Sequence, residues 1–173
     1  MDKIIFTGPV GAGKTTAIGS ISEIPPVGTD VQCTDESIEI KEKTTVAMDY
    51  SYITLEDGTR IHLYGTPGQE RFNFMWNILT TGGIGLVILV NKDHPQAIDE
   101  LERYLDAFSE FIEQTGTVIG LTKCDINKHS TDISMFHECL YKRNQIFPVF
   151  EIDARESEDV KTLIHALLAV LVN

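Results

Sequence analysis

The amino-acid sequence predicts an α/β fold with a mostly parallel sheet of six strands, one antiparallel edge strand, and helices on both faces of the sheet. Three observations predict it. An apolar strand over residues 3–7 runs into a glycine-rich turn and then a helix over 14–22. Apolar runs and helical patterns alternate along the rest of the chain. The run 84–90 is apolar almost throughout, which is typical of a central parallel strand covered on both faces.

The segment after the first helix is less regular. A Pro-Pro pair and a glycine end that helix, and residues 29–43 are polar, so we expect a mobile connection or an irregular edge segment there. Residues 46–55 resemble a strand, Asp57-Gly58 is a two-residue hairpin signal, and residues 60–64 form the return strand. These stretches predict the one antiparallel pair of the sheet.

The second half of the chain continues the alternation of helices and strands. Apolar residues fall at helical spacing from 96 to 114, which predicts the clearest amphipathic helix of the chain. The remaining predicted elements are helices over 70–80, 131–143 and 158–171 and strands over 117–121 and 147–152. The sequence shows no internal repeat and no change in composition that would mark a second domain, so residues 1–173 are expected to form a single domain.

The amino-acid composition indicates which binding partners and which cellular compartment to expect. Fourteen Lys and Arg stand against 26 Asp and Glu, a net charge of −12, and no basic cluster appears, so nucleic acid is not an expected partner. Three widely spaced cysteines form neither a disulfide framework nor a zinc pattern, which favours a reducing compartment. The sequence shows no signal peptide, lipidation site or membrane-spanning run. We therefore expect a cytoplasmic protein without a direct membrane anchor.

The glycine-rich turn near the start carries the first functional signal. Residues 8–15, GPVGAGKT, match the G-x-x-x-x-G-K-[ST] pattern of a phosphate-binding loop. Glycines let successive backbone N–H groups face a polyphosphate, and the helix N-terminus adds a favourable dipole. Lys14 would reach the β- and γ-phosphates, and the Thr15 hydroxyl would ligate Mg²⁺. The candidate phosphate-binding residues are Gly8, Val10, Gly11, Ala12, Gly13, Lys14, Thr15 and Thr16.

A stretch after the predicted strand 117–121 indicates which base the bound nucleotide carries. Residues 122–125, TKCD, resemble the N/T-K-x-D motif with which Ras-like small GTPases recognise guanine. A carboxylate at Asp125 can accept hydrogen bonds from the N1–H and the exocyclic amine that guanine has and adenine lacks. The stem of Lys123 could lie over the base plane. The similar-looking stretch 91–94, NKDH, lacks the spacing of the motif and is interpreted as a loop.

A second stretch follows the last predicted strand. Residues 153–155, DAR, resemble the S-A-K motif of the same GTPases, in which the backbone N–H of the alanine meets the guanine oxygen. The candidate base-binding residues are Thr122, Lys123, Asp125, Asp153, Ala154 and Arg155.

Residues 65–72, GTPGQERF, resemble the D-x-x-G-Q-E segment that opens switch II in Ras-, Rab- and Arf-like proteins. The resemblance gives Gln69 the role of orienting the attacking water, and the N–H of Gly68 would meet the γ-phosphate. Gly65 stands where the pattern has an aspartate that helps to hold Mg²⁺. In this respect the chain looks like the bacterial small GTPases related to the gliding-motility switch MglA and to the conservon-encoded GTPases.

Residues 44–50 resemble the T-I-G-V-D-F segment of Rab-like switch I. By that match Thr45 is the second hydroxyl ligand of Mg²⁺, with Thr44 as the fallback. Asp49 is a candidate replacement for the carboxylate missing at position 65, because it lies on the neighbouring strand. The alternative, which the sequence favours, is an ordinary strand residue that faces solvent or a partner.

The resemblance covers essentially the whole chain and implies a P-loop NTPase with a Ras-like G domain. It implies GTP or GDP and Mg²⁺ as ligands, with Gln69, Lys14 and Thr45 as catalytic residues and Thr15 and Thr45 as metal ligands. Such a domain acts as a nucleotide-dependent switch that hydrolyses GTP to GDP.

Two departures from Ras imply slow hydrolysis. Val10 stands where Ras has a glycine beside the γ-phosphate, and residues 23–45 contain no arginine that could act in cis. A partner protein is therefore expected to accelerate turnover, and effector, activating and exchange proteins would bind at switch I (about 40–50) and switch II (68–78). Two alternatives stay open: a non-hydrolysing guanine-nucleotide-binding scaffold and a P-loop small-molecule kinase.

Overall fold

The computed structural model describes residues 2–34, 43–68, 74–126, 128–129 and 131–172. Its strands are β1 (Asp2–Thr7), β2 (Val27–Thr34), β3 (Lys43–Thr54), β4 (Arg60–Gly65), β5 (Gly85–Asn91), β6 (Gly116–Thr122) and β7 (Val149–Glu151). Its helices are α1 (Lys14–Ile21), α2 (Phe74–Thr80), α3 (Ala97–Ala107), α4 (Ser109–Gln114), α5 (Ile133–Lys142) and α6 (Ser157–Val172).

The strands form one sheet with the order β2-β3-β4-β1-β5-β6-β7. Strands β4, β1, β5, β6 and β7 are parallel to one another, whereas β3 is antiparallel to both β2 and β4. The predicted α/β class with a mostly parallel sheet is confirmed. The prediction of six strands and one antiparallel pair is wrong, because the described residues form seven strands and two antiparallel pairs.

The additional strand is β2, where the sequence predicts a connection or an irregular edge. It pairs with β3 along its whole length, from Val27 opposite Tyr50 to Thr34 opposite Lys43. The prediction fails because the alternation in β2, VGTDVQCT, is weak: only Val27, Val31 and Cys33 are apolar. An edge strand can be held by its ladder of backbone hydrogen bonds to a neighbour, and backbone pairing of this kind produces no pattern of apolar residues in the sequence.

Helices cover both faces of the sheet, as predicted. On one face α1 and α6 pack on the strands, through buried residues that include Ala17, Ile18, Leu163 and Leu167. On the other face the buried residues of α2, α3, α4 and α5 pack on the alternate side chains of the same strands. The near-continuous apolar character of β5 follows from burial on both sides.

The amphipathic segment expected as one helix over 96–114 is two helices, α3 and α4, which meet at Phe108. The Phe108 ring is buried and stacks on Trp76 with 5.0 Å between ring centroids. Apolar periodicity continues through this break, so the pattern alone does not reveal it. The predicted helix over 70–80 is present from Phe74, and residues 70–73 lie outside the described residues. Within the described ranges, no helix has the length and apolar character needed to cross a membrane.

Parallel strands end at the same edge of the sheet, where α/β proteins place their ligands. The loops that follow β1, β4, β5, β6 and β7 therefore meet at one edge. These loops contain most of the functional signals in the sequence.

Candidate functional site

The turn after β1 leads directly into α1, as the phosphate-loop pattern predicts. Gly8 has a φ of 145°, and a Cβ there would lie 2.1 Å from the carbonyl oxygen of Leu89. Glycine is therefore required where the loop crosses β5. Gly13 has a φ of 98° and precedes the first residue of α1, so the amides of the first helical turn face the same edge of the sheet.

Lys14 folds back over the loop. Its Nζ donates to the carbonyl oxygens of Gly8 at 2.6 Å and Pro9 at 2.9 Å, and the residue is only 8% exposed. Burial lowers the pKa of Lys14 to about 8, although the nearby carboxylate of Asp49 opposes that shift. A buried cation next to backbone amides can bind a polyphosphate strongly.

Thr15 and Asp49 meet beside the loop. The Thr15 hydroxyl donates to Oδ2 of Asp49, which lies on β3 directly opposite Gly65. A Cβ at position 65 would lie 3.2 Å from Cβ of Asp49 and 3.3 Å from its Oδ2. The carboxylate of Asp49 thus occupies the region that a side chain at 65 would enter.

This position contradicts the interpretation of Asp49 as an ordinary strand residue facing solvent or a partner. The register of β3 against β4 turns its side chain toward α1, which the local sequence does not reveal. A hydroxyl and a carboxylate oxygen are ligand types that Mg²⁺ prefers. The residues present therefore fit a magnesium ion held next to a bound phosphate.

A cavity of about 230 Å³ lies between the loops that follow β1, β6 and β7. Its lining residues are Ala12, Gly13, Thr16, Thr122, Lys123, Asp125, Ile126, Asp153, Ala154 and Arg155. All except Ile126 are candidate site residues from the sequence, so the structure brings the predicted phosphate and base residues together. Ile126 was missed because it lies one position beyond the motif. A larger cavity of about 710 Å³ lies near the amino ends of β5 and β6, and none of the residues predicted to bind nucleotide or metal lines it.

Three charged side chains lie at the rim of this cavity. The guanidinium of Arg155 contacts both carboxylate oxygens of Asp153, at 2.6 and 2.8 Å, and Oδ2 of Asp125 at 3.4 Å. Hydrogen bonds from Arg155 lower the pKa of Asp153 to about 2. Arg155 and Asp125 are exposed and Asp153 is half-buried, so the pairs add little stability. An incoming base that donates to Asp125 would compete with Arg155.

Lys123 has a left-handed backbone with a φ of 57°, which is uncommon for a residue with a side chain. A bend of this kind costs on the order of 1 kcal/mol and persists where the surroundings hold it. It turns the chain between Thr122, buried against the phosphate loop, and Asp125, exposed at the rim.

Thr122 connects three elements of the site. Its hydroxyl lies 2.7 Å from the carbonyl oxygen of Ala12 and 3.2 Å from that of Val90, and the residue is buried. The hydroxyl therefore joins β6 to both the phosphate loop and β5.

We expect Thr122→Val, which keeps the shape and removes the hydroxyl, to lower the free energy of unfolding by about 1–3 kcal/mol, because it leaves buried carbonyls without that donor. Urea denaturation measures the change. Thr117→Val is the matched control, because Thr117 is buried on the same strand and its hydroxyl has no hydrogen-bond partner within the described ranges. Equal effects of the two substitutions would contradict the role of Thr122.

The residues after β4 lie against the phosphate loop. The Thr66 hydroxyl is 2.8 Å from that of Thr7, and both residues are buried. A Cβ at Gly68 would lie 2.8 Å from the backbone nitrogen of Val10 and 3.0 Å from Nζ of Lys14. Only glycine allows this close approach. Val10 itself is 70% exposed.

Several predicted residues cannot be placed. Gln69 lies outside the described residues, as do the side chains of Thr44 and Thr45. The backbone of Thr45 lies in β3, opposite Gln32.

Trp76, within the segment 68–78 that is expected to bind partner proteins, packs on the domain. The residue is 6% exposed, and its ring stacks on Tyr104 with 5.1 Å between ring centroids. Its Nε1 donates to the carbonyl oxygen of Pro67 at 3.3 Å.

Comparison with known proteins agrees with a nucleotide-binding domain. A family described as conserved hypothetical ATP binding protein matches residues 29–172, most of the chain. The chain belongs to that family. The matched residues include β6, β7 and the loops after them but not the phosphate loop, which precedes residue 29.

An uncharacterised protein of Methanocaldococcus jannaschii is 33% identical over 119 residues, which cover 65% of this chain and 70% of the relative. Ras-related protein Rab-1C of Dictyostelium discoideum is 27% identical over 161 residues, 90% of this chain and 73% of the relative. Rab-11B of the same organism is 22% identical over 169 residues, 95% of this chain and 71% of the relative. The two Rab relatives support membership of the Ras-like superfamily. They do not support the more specific resemblance to the bacterial MglA group.

Proposed function

We propose that this member of the family is a guanine-nucleotide-dependent switch that hydrolyses GTP to GDP slowly. The observation that carries the proposal is the cavity in which the phosphate-loop residues Ala12 and Gly13 face Lys123, Asp125 and Ala154. A phosphate-binding loop after β1 and a base-recognising carboxylate after β6, at the same edge of the sheet, are the two parts that a nucleoside polyphosphate needs.

Guanine is favoured by the chemistry of Asp125, which is exposed at the cavity rim. Its carboxylate can accept from N1–H and the exocyclic amine of guanine, whereas the edge of adenine would leave those acceptors unpaired. The family description favours a second candidate, an adenine-nucleotide-binding protein. The nearby guanidinium of Arg155 makes the cost of an unpaired carboxylate smaller, so the two candidates need a direct test.

In the proposed site Lys14 and the amides of the phosphate loop bind the β- and γ-phosphates. Thr15 and Asp49 would hold Mg²⁺, with Thr45 as a further ligand from switch I. Bound Mg²⁺ neutralises charge on the phosphate oxygens. Gln69 orients the attacking water, and the N–H of Gly68 binds the γ-phosphate, which would couple the order of this segment to GTP.

Slow turnover is proposed from the surroundings of the phosphate loop. Val10 is largely exposed beside Gly68, so its branched side chain would crowd Gln69 or an arginine from an activating protein. Effector, activating and exchange proteins would bind at switch I and switch II, and the cytoplasm is the proposed compartment. A closer relation to the MglA group is proposed from the G-T-P-G-Q segment that begins at Gly65.

Single-turnover hydrolysis of GTP by the isolated chain tests the proposed activity. We expect a rate on the order of 10⁻³ s⁻¹ or slower, the range of Ras-like domains that act without an arginine finger. Gln69→Leu is the control and should lower the rate at least about tenfold without weakening GTP binding. Tight GTP binding with no hydrolysis above that of the variant would favour the non-hydrolysing scaffold. A rate near 1 s⁻¹ or faster would contradict the need for a partner.

A further inference from the structure

Asp93 lies in the loop after β5, in the stretch 91–94 that imitates the guanine motif. The residue is only 9% exposed. A single carboxylate oxygen, Oδ1, accepts the backbone N–H of Lys128 at 2.6 Å and that of His129 at 2.8 Å. The N–H of Asp93 donates to Oδ1 of Asn91 at 2.9 Å, which shapes the loop that presents the carboxylate.

The two amides belong to the loop that contains Lys123 and Asp125, between β6 and α5. A second backbone bond joins the same two loops, because Lys92 N donates to the carbonyl oxygen of Thr122 at 2.9 Å. The base-recognition loop is therefore attached to the loop after β5 on both sides of Asp125.

We infer that Asp93 is a positioning residue for base recognition, which holds the loop of Lys123 and Asp125 at the rim of the cavity. Hydrogen bonds to an ionised acceptor are about twice as strong as neutral ones, and burial protects them from water. Two consecutive amides bonded to one oxygen also fix the direction of the chain. This inference rests on the proposed function, because Asp93 acts through Asp125.

If Asp93 only stabilises the fold locally, its loss should change the affinity for all nucleotides alike. If it positions the loop of Asp125, its loss should change only the part of the affinity that depends on the base. The test therefore measures dissociation constants of the full chain for GDP, inosine diphosphate and ADP. Inosine diphosphate lacks the exocyclic amine, so its affinity relative to GDP reports on the contact to Asp125.

For Asp93→Ala we expect the preference for GDP over inosine diphosphate and over ADP to fall about tenfold or more, while ADP binding stays nearly unchanged. Asp132→Ala is the matched control. Asp132 caps α5 at the far end of the same loop by accepting from the N–H of Ser134 at 2.8 Å. Its loss should leave the base preference at the wild-type value.

Unchanged base preference in a folded Asp93→Ala variant would overturn the inference and leave the proposed function intact. Equal binding of GDP and ADP by the wild-type chain would overturn both. Hydrogen exchange on the wild-type chain gives a result that does not depend on the variant folding. The amides of Lys128 and His129 should be protected, and exchange at the rate of free loop amides would overturn the inference.

Discussion

Lys14→Met is expected to weaken binding of GDP and GTP by about 100- to 1,000-fold. The reason is that the substitution removes the buried positive charge of the phosphate loop. Methionine keeps most of the apolar stem, so the fold should survive the change. Calorimetric titration with GDP measures the loss. Lys161→Met, at an exposed lysine on α6, is the control and should bind GDP as the wild-type chain does. Retention of wild-type affinity by Lys14→Met would contradict phosphate binding at this loop.

The same variant tests the electrostatics of Lys14 without any nucleotide. The folded-state pKa of about 8 lies below the ordinary value of 10.5, so the folded chain loses this proton first. Between these values the unfolded chain binds more protons, and the stability of the ligand-free protein should rise with pH, by up to roughly 3 kcal/mol. Urea denaturation across this range should show the rise in the wild-type chain and in Lys161→Met but not in Lys14→Met. Parallel curves for all three would contradict the burial of the charge.

Asp49→Ala is expected to raise the Mg²⁺ concentration needed for tight GDP binding and for GTP hydrolysis by about 10- to 100-fold. The reason is that, in the proposed site, the carboxylate bonded to Thr15 would take the place of the aspartate missing at position 65. Titration of Mg²⁺ against GDP binding measures the shift. An unchanged titration would rule out this role for Asp49.

A compensating substitution sharpens that test. Gly65→Asp alone should destabilise the fold, because its Cβ would lie 3.2 Å from Asp49 Cβ and 3.2 Å from Ile18 Cδ1. In the Asp49→Ala background part of that space is free, and the new carboxylate would stand where the Ras-like pattern has it. The double variant should therefore recover much of the lost Mg²⁺ affinity. A double variant no better than Asp49→Ala would show that the carboxylate acts only from β3.

The phosphate loop and the strand ends were predictable because their signals are local. Gly8, Gly13 and Lys14 stand at fixed spacings that a turn into a helix requires, and the structure forms that turn. The loops of Lys123 and Ala154 were predictable as neighbours because the carboxyl ends of parallel strands meet at one edge.

What the sequence could not predict depends on contacts between distant residues. Strand β2 is held by its ladder to β3 rather than by an apolar pattern. The position of Asp49 depends on the register of β3 against β4, because a shift of one residue would turn its side chain to the opposite face. The stretch that contains Asp93 was interpreted as a plain loop because its spacing does not match the guanine motif. Its carboxylate nevertheless accepts hydrogen bonds from Lys128 and His129, which are distant in the sequence, so no local pattern reveals the contact.

The affinity of the wild-type chain and of Asp125→Asn for GTP, XTP and ATP tests guanine recognition most directly. The wild-type chain should prefer GTP over XTP and ATP by about 10³-fold or more, because in the proposed site the carboxylate would pair with N1–H and the amine of guanine. The asparagine variant should lose affinity for GTP and gain affinity for XTP, whose oxygen at the same ring position accepts from an amide. Binding of ATP as tight as that of GTP by the wild-type chain, or no exchange of preference in the variant, would contradict a guanine-nucleotide site.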